Sequence, residues 1–263
     1  MMNTARLAVC SNLRRDLILS LKAGRKPLSE LRDLLGVSST TAIHALRELE
    51  HGKLICEDED RNYALTKIGE IVALKVDDLL QTVEVLQKFE RFWHEHDLSD
   101  IPLPLLQRIG ELQNSKPLMG TPTDMFKLHA TSLQVLEHAN EVKGIYPIFN
   151  LEYLTAIEEA VVRRRIAVEL VITNAVLESL IGIIETEKTF LELVHQPNFL
   201  VFATEYDLKL ALTLTDSVLY LGLFARDGLY DYNRALISDD AAALAWGRDL
   251  HEYYRQHAKL VEW

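Results

Sequence analysis

Ser38-Ser39-Thr40-Thr41, with His44, Arg47 and His51 after it, is a group whose residue types and spacing could do chemistry. Thr40, His44, Arg47 and His51 recur at intervals of 4, 3 and 4, which puts them on one side of a helix. The chemistry is recognition, not bond making. A guanidinium can grip a guanine edge bidentately, hydroxyls can reach bases or phosphates, and a helix start draws anionic oxygens. Arg14, Arg15, Lys22, Arg25 and Lys26 could add contacts to the sugar-phosphate backbone of double-stranded DNA.

A second group is aromatic. Tyr146, Tyr153, Tyr220, Tyr230, Tyr232 and Trp246 could line a pocket for a small-molecule effector, although each taken singly is more often a core or surface residue. His94, His96 and Asp97 are metal-ligand types, but helical residues two apart point in nearly opposite directions, so no metal is expected. Arg163-Arg164-Arg165 could hold an anion; the simpler reading is basic residues complementing a helix C-terminus. No phosphate-binding loop, dinucleotide fingerprint or nucleophile elbow occurs, and no cofactor is expected.

The elements that must position the first group are legible in order. Residues 12–21 have a helical apolar face of Leu13, Leu17, Ile18 and Leu21, closed by Gly24 and a Lys26-Pro27 turn. Ser29 is expected to cap a helix over 30–35, and Gly36 supplies a sharp turn. Ser38 caps the reading helix, which buries Ala42, Ile43, Leu46 and Leu49 and ends at Gly52 in a left-handed conformation. Residues 53–56 and 62–65 form a hairpin, whose Asp58-Glu59-Asp60 tip carries Arg61 as its basic residue. Thr66 caps a long helix to about residue 94. Val72, Val76, Leu79, Val83, Leu86 and Trp93 follow a 4,3 spacing, interrupted at Glu90, that suits a homodimer seam. The whole is the order of a winged helix-turn-helix.

Residues 97–104 read as a hinge, 105–112 as a short helix, 115–123 as an irregular connection and 126–138 as a helix. Strand (144–149), helix (151–164), strand (166–173) and helix (176–187) then suggest parallel crossovers in a sheet covered on both faces. Short strands follow at 199–203, 208–214, 218–224 and 229–237, the last pair turning at Asp227-Gly228, before a helix over 241–259 capped by Asp239. The expected fold is mixed, α+β or α/β, with a DNA-binding domain over 1–76, a connecting helix, hinge and linker over 77–123, and a sensing or dimerisation domain over 124–263.

Composition agrees. Hydrophobic residues make up 48% and charged residues 25%, enough for ordinary cores. Net charge is −11, yet residues 1–76 hold 12 Lys/Arg against 10 Asp/Glu, so the acidity lies beyond them. An acidic body limits non-specific binding to a polyanion. No apolar run is long enough for a membrane span, and the N-terminus lacks the pattern of a signal peptide. Cys10 and Cys56 are too few for a disulfide framework and are expected to be buried apolar residues of a cytoplasmic protein.

Leu28-Ser29-Glu30-Leu31 to Gly36-Val37-Ser38, Leu46-Arg47-Glu48-Leu49-Glu50 and Tyr63-Ala64-Leu65-Thr66-Lys67-Ile68-Gly69 resemble archaeal winged-helix regulators. The run from Phe92 to Pro102, Leu221-Gly222-Leu223-Phe224, Asp227-Gly228-Leu229-Tyr230-Asp231 and Trp246-Gly247-Arg248 resemble the FilR-type regulators of methanogens. The resemblance implies an archaeal transcription factor and supplies no pocket residues. Its C-terminal part is also distantly similar to phospholipase-D-like folds, whose enzymes need His-x-Lys and Asp. His257-Ala258-Lys259 lies four residues from the last residue given, with no Asp after it, so that catalysis is not expected. The leading reading is an effector-responsive regulator. The alternatives are a constitutive dimeric repressor with a purely structural second domain, and an enzyme whose winged helix serves protein contacts.

Overall fold

The computed structural model describes residues 4–121, 126–187 and 189–263; the start of the N-terminal stretch, residues 122–123 of the expected connection and the expected 123/124 boundary lie outside these residues. The chain divides into two compact units, Met1–Val83 and Glu84–Trp263. Residues 84–121, expected in a linker, therefore fall within the second unit.

The first unit runs α1 (Thr4–Val9), α2 (Asn12–Ser20), β1 (Lys26–Pro27), α3 (Leu28–Leu35), α4 (Ser39–His51), β2 (Ile55–Glu57), β3 (Asn62–Leu65) and the start of α5 (Lys67–Lys88). Leu17, Ile18, Leu31, Leu46, Leu49 and Leu54 form its sealed centre. The strands make a small sheet in the order β1-β3-β2. Ser11, Ser38 and Thr66 each accept a backbone N–H three residues on, satisfying donors that helix starts leave open.

Several local expectations are corrected. α3 starts at Leu28 after an extended Pro27, so Ser29 lies inside the helix. Lys26-Pro27 pairs with β3 rather than making only a turn. Gly52 is right-handed (φ −75°), and the left-handed residue is Lys53 (φ 58°). A glycine at 52 instead answers a close approach: an added Cβ would come within 2.5 Å of Leu7 Cδ1. Ala45 takes the buried position expected of Ile43, which is half-buried. Cys10 and Cys56 are both exposed, Cys10 just past α1 and Cys56 on the outer face of β2.

The expected helix over 67–94 breaks at Phe89 (φ −117°, ψ 33°), and α6 (Glu90–Glu95) follows. The Trp93 indole N–H donates to the Val85 carbonyl at 3.0 Å, tying α6 to the last turn of α5. Val76 and Trp93, expected in a seam, are buried in the cores of their own units. Leu79, Val83 and Leu86 remain exposed, as does Ile68 near the helix start.

After α6, the second unit runs α7 (Leu103–Leu106), β4 (Lys116–Met119), α8 (Lys127–Glu137), β5 (Glu141–Tyr146), α9 (Leu151–Glu158), β6 (Ala167–Thr173), α10 (Asn174–Thr186), α11 (Thr189–Val194), β7 (Phe199–Thr204), β8 (Leu210–Thr215), β9 (Leu219–Phe224), β10 (Tyr230–Ser238), α12 (Ala241–Gln256) and β11 (Lys259–Leu260). The expected irregular stretch at 115–123 contains a real strand, β4, paired antiparallel with β10. The helix expected over 151–164 gives way after Glu158 to a wider turn. Asp240, not Asp239, caps α12. Arg164 donates to the carbonyls of Leu136 and Ala139, so it ties down the end of α8 instead of holding an anion.

The eight-stranded sheet has the order β11-β7-β6-β5-β8-β9-β10-β4, with β5, β6 and β7 parallel and the other pairs antiparallel. Strands alternate between two faces. Ile145, Val171, Leu212, Leu221 and Leu236 point to a core shared with α12, α6 and α7, while Leu170, Ile172 and Val201 meet α9, α10 and α11. No helix among the described residues is long and apolar enough to cross a membrane.

His251 on α12 is sealed at 1% exposure, with Nδ1 3.5 Å from Glu169 Oε1 and Nε2 unpartnered among the described residues. Burial holds its pKa down to about 4, and Lys143, Glu252 and Arg255 also act on it. The folded imidazole thus stays neutral where the unfolded one, near 6.5, takes a proton. Its contribution is fully present above pH 6.5 and declines as pH falls toward 4, amounting to about 3 kcal/mol. Glu169, raised by burial, works in the opposite direction. His251→Leu should match or exceed the parent's thermal stability at neutral pH, since a buried atom without a partner is removed. Between pH 6.5 and 4 its Tm should fall less steeply than the parent's; parallel melting curves would refute the assignment.

Candidate nucleic-acid interface and ligand cavity

Gly36, left-handed at φ 64°, turns the chain between α3 and α4. Ser38 Oγ accepts from Thr41 N at 3.2 Å and lies 2.8 Å from the Thr41 hydroxyl, so both are engaged in starting α4. With Ala42, Ala45, Leu46 and Leu49 turned inward, Thr40, Thr41, His44, Arg47 and His51 are exposed and Ser39 is half-buried. His44 lies 4.0 Å from Glu48. Arg47 has no ion-pair partner among the described residues, unlike the cations expected to touch backbone phosphates. Arg14 binds Glu48 (2.5 Å), Arg15 Asp16 (3.1 Å), Lys22 Asp77 (2.5 Å), Arg25 Asp58 (3.1 Å), and Lys26 Glu30. At the hairpin tip, Asp58 Oδ1 accepts from Asp60 N and Asn62 N, and left-handed Arg61 stands exposed, 3.7 Å from Glu57.

In the second unit a cavity of about 750 Å³ lies between the sheet and helices α8, α9 and α10. That is within the range of small-molecule sites. Its origin is a shortage of side chains on one sheet face. Ala211, Gly222 and Ala235 are register neighbours across β8, β9 and β10, and Gly144 sits beside Thr213 on the same face. Tyrosine rings lie over the two glycines. A Cβ on Gly222 would fall 2.1 Å from the Tyr230 hydroxyl, and one on Gly144 2.6 Å from Tyr146 Cε2. Strand glycines commonly mark such close approaches.

Tyr146, Tyr153, Tyr220 and Tyr230 all line this cavity, as does Tyr232. Tyr146 Oη is 3.0 Å from Thr213 Oγ1, and Tyr153 Oη meets Ser132 Oγ. Burial pushes the Tyr146 phenol up to about 12 and raises Tyr153, Tyr220 and Tyr230 as well, so all four stay protonated. Trp246 does not line it. It is fully buried on α12, where its indole N–H donates to the Leu105 carbonyl at 3.0 Å, as a buried tryptophan requires. Missing from the sequence reading were the aliphatic wall (Leu154, Ile157, Leu170, Ile172, Val176, Leu180), Thr213 and the His129–Glu152 pair. Small residues at inward strand positions could have pointed to the hollow.

Next to the cavity, β10 alternates between two duties. Tyr230 and Tyr232 face the cavity. Asp231 between them contacts sealed His96 (Oδ2 to Nε2, 3.1 Å), whose Nδ1 lies 2.6 Å from the Phe92 carbonyl. Arg234 Nε binds Asp231 at 3.0 Å, and its Nη1 reaches Glu95 on α6. The register of β10 shifts between Tyr230 and Ala235, so this segment is irregular strand. His96 is thus a structural partner of Asp231, with His94 turned away to solvent.

A winged helix whose α4 surface is exposed, followed in the chain by a mixed α/β unit with a ligand-sized cavity, defines a two-unit winged-helix protein. Residues 3–84 match the N-terminal domain, and residues 125–257 the middle domain, of methanogenesis regulatory protein FilR1. The chain belongs to that family. A relative of this name from Methanothrix harundinacea (strain 6Ac) is 30% identical over 267 residues; the match covers 100% of this chain and 59% of the relative's length. Among solved structures, TrmBL2, described as an archaeal chromatin protein with a novel mode of DNA binding, shares 15% identity at a TM-score of 0.43, with 98% of each chain covered. NucT from Helicobacter pylori shares 15% identity at a TM-score of 0.39, over 55% of this chain and 97% of its own.

Gly222→Ala should drive the Tyr230 ring from its place and cost about 1–3 kcal/mol by overpacking. Near-ultraviolet circular dichroism and a thermal melt would check this; unchanged tyrosine bands and Tm would show that the ring is not held there.

Proposed function

We propose that this chain is a DNA-binding transcriptional regulator whose second unit senses a small molecule. The observation that carries the first half is the α4 surface, where Thr40, His44 and Arg47 are exposed and Arg47 has no ion-pair partner among the described residues, while neighbouring cations are neutralised by carboxylates of the same unit. Such a helix reads base edges in the major groove, with Ser39 and Thr41 near phosphates and Arg61 at an acidic wing that contributes little. The relative's name, methanogenesis regulatory protein, suggests the genes it governs.

Reading of paired half-sites generally takes two copies. Exposed Leu79, Val83 and Leu86 on α5 are the surface proposed to meet a second chain. Sensing is supported by the cavity and by its neighbour α6. A ligand against Tyr230 and Tyr232 would move the strand that carries Asp231 and Arg234, hence their partners His96 and Glu95. α6 follows directly on the helix that leads back to the winged helix. For such a route to act, the ligand must prefer one arrangement of that strand.

Fluorescence anisotropy with a duplex from the chain's own promoter and a scrambled duplex tests the DNA reading. Promoter-selective binding that weakens with salt is expected, and Arg47→Ala should lose about 1–3 kcal/mol of it. Equal, weak binding to both duplexes, unaltered by Arg47→Ala, would remove the reading. Asp231→Asn tests the route: operator affinity of the ligand-free protein should change while the isolated change leaves the α4 surface intact. An Asp231→Asn protein that binds DNA and responds to effector as the parent does would exclude it.

A further inference from the structure

The chemistry of the cavity wall narrows what can occupy it, an inference that rests on the second unit being a sensor. We propose that the cavity takes an uncharged, mostly hydrocarbon molecule bearing a carbonyl-type oxygen, and that it rejects carboxylate- and phosphate-headed molecules.

Charge is the first ground. No lysine or arginine is among the described residues that line the cavity. The one acidic group there is Glu152, paired with His129. An anion entering this space would give up its hydration without a lysine or arginine in return, at a cost of several kcal/mol.

Shape and polarity are the second. Leu154, Ile157, Leu170, Ile172, Val176 and Leu180 form a continuous aliphatic wall from α9, β6 and α10. A sugar's hydroxyls would be left unpaired against it. A hydrocarbon chain loses nothing there and gains by leaving water.

The third ground is the donor set on the opposite side. Tyr146 and Tyr153 spend their hydroxyls on Thr213 and Ser132. Tyr220 and Tyr230 form no hydroxyl hydrogen bond with the described residues, and their buried phenols keep their protons. Two O–H donors beside an apolar wall suit one neutral acceptor oxygen. The rings are also arranged against one another: Tyr230 and Tyr232 meet edge to face at 4.9 Å, and Tyr146 and Tyr153 tilt together at 5.8 Å. An edge-to-face pair spends one ring's face on its neighbour's edge, which leaves fewer faces free to surround a cation in the manner of an ammonium cage.

The test uses the full chain and the neutral dye Nile red as reporter. A medium-chain methyl ketone, the carboxylate of the same length, the trimethylammonium of the same length and the parent alkane are titrated as displacers. The ketone should displace the dye at a concentration at least about tenfold below that of either ion, a difference of about 1.4 kcal/mol. Replacing Tyr220 and Tyr230 together by phenylalanine keeps the rings and should weaken the ketone about fivefold while leaving the alkane unchanged. Leu180→Trp, which fills the aliphatic end, should weaken the dye and every displacer and so fixes the site. A carboxylate as potent as the ketone overturns the proposal. So does a trimethylammonium more potent than the ketone, which would mark an aromatic cage, and so does dye binding indifferent to Leu180→Trp. If the ketone displaces as expected but leaves operator affinity unmoved, the ligand class stands and the sensor reading fails.

Discussion

An eight-stranded sheet has two faces, and both must be taken out of water. The second unit meets that constraint unequally. One face is filled by leucines, isoleucine and valine that pack on Trp246 and Leu250 of α12. The other carries Gly144, Ala211, Gly222 and Ala235 at inward positions, too little volume to fill the space under α8, α9 and α10. Tyr146 and Tyr230 take up part of the difference, their rings lying over Gly144 and Gly222 where strand side chains are missing, and the Tyr146 hydroxyl meets Thr213. Protein interiors otherwise pack near crystalline density, so a hollow of this size is a property of which residues occupy the strands. The filled face gives the sheet a rigid back, and the hollow can then persist without loosening the unit.

The same unevenness places a filled core and a hollow on opposite sides of one sheet. α12, with its capped start and sealed indole, belongs to the rigid side. β10 spans both: its later residues, Ala235 to Ser238, hold regular register with β9, while the stretch after Tyr230 slips. A strand that loses register over a few residues can shift without breaking the sheet, and that stretch carries both the cavity tyrosines and the residues holding α6.

How much of this was legible in the sequence follows from the range over which each rule acts. The winged helix is written in neighbouring residues. Ser38 before α4, Gly36 in the turn, Thr66 before α5 and the apolar spacing of α4 all report on chain within a few positions, and they placed Arg47 and its companions on an open face. Slips there were of a residue or two, as at Pro27 and Gly52, where the cause is contact with another element. The tyrosines could be nominated by type alone, which is why Trp246 came with them: an aromatic residue on an amphipathic helix reads the same whether it faces a core or a cavity. What the sequence does not spell is register. Ala211, Gly222 and Ala235 become a row only when three strands align, and Asp231 finds His96 across 135 positions of chain. The break at Phe89 was masked by an uninterrupted run of helix-forming residues, and β4 by its proline.

The edges of the large sheet carry a consequence of their own. One ends in β11, two residues long, and the other in β4, which contains Pro117. A short strand offers few free backbone groups, and a proline removes a donor from the row it would present. Neither border is therefore a good template for another chain to lengthen the sheet, and stray copies exposed during synthesis gain little by adding there. Edge-to-edge lengthening of this sheet, the route to runaway, open-ended stacking, is thereby disfavoured at both borders.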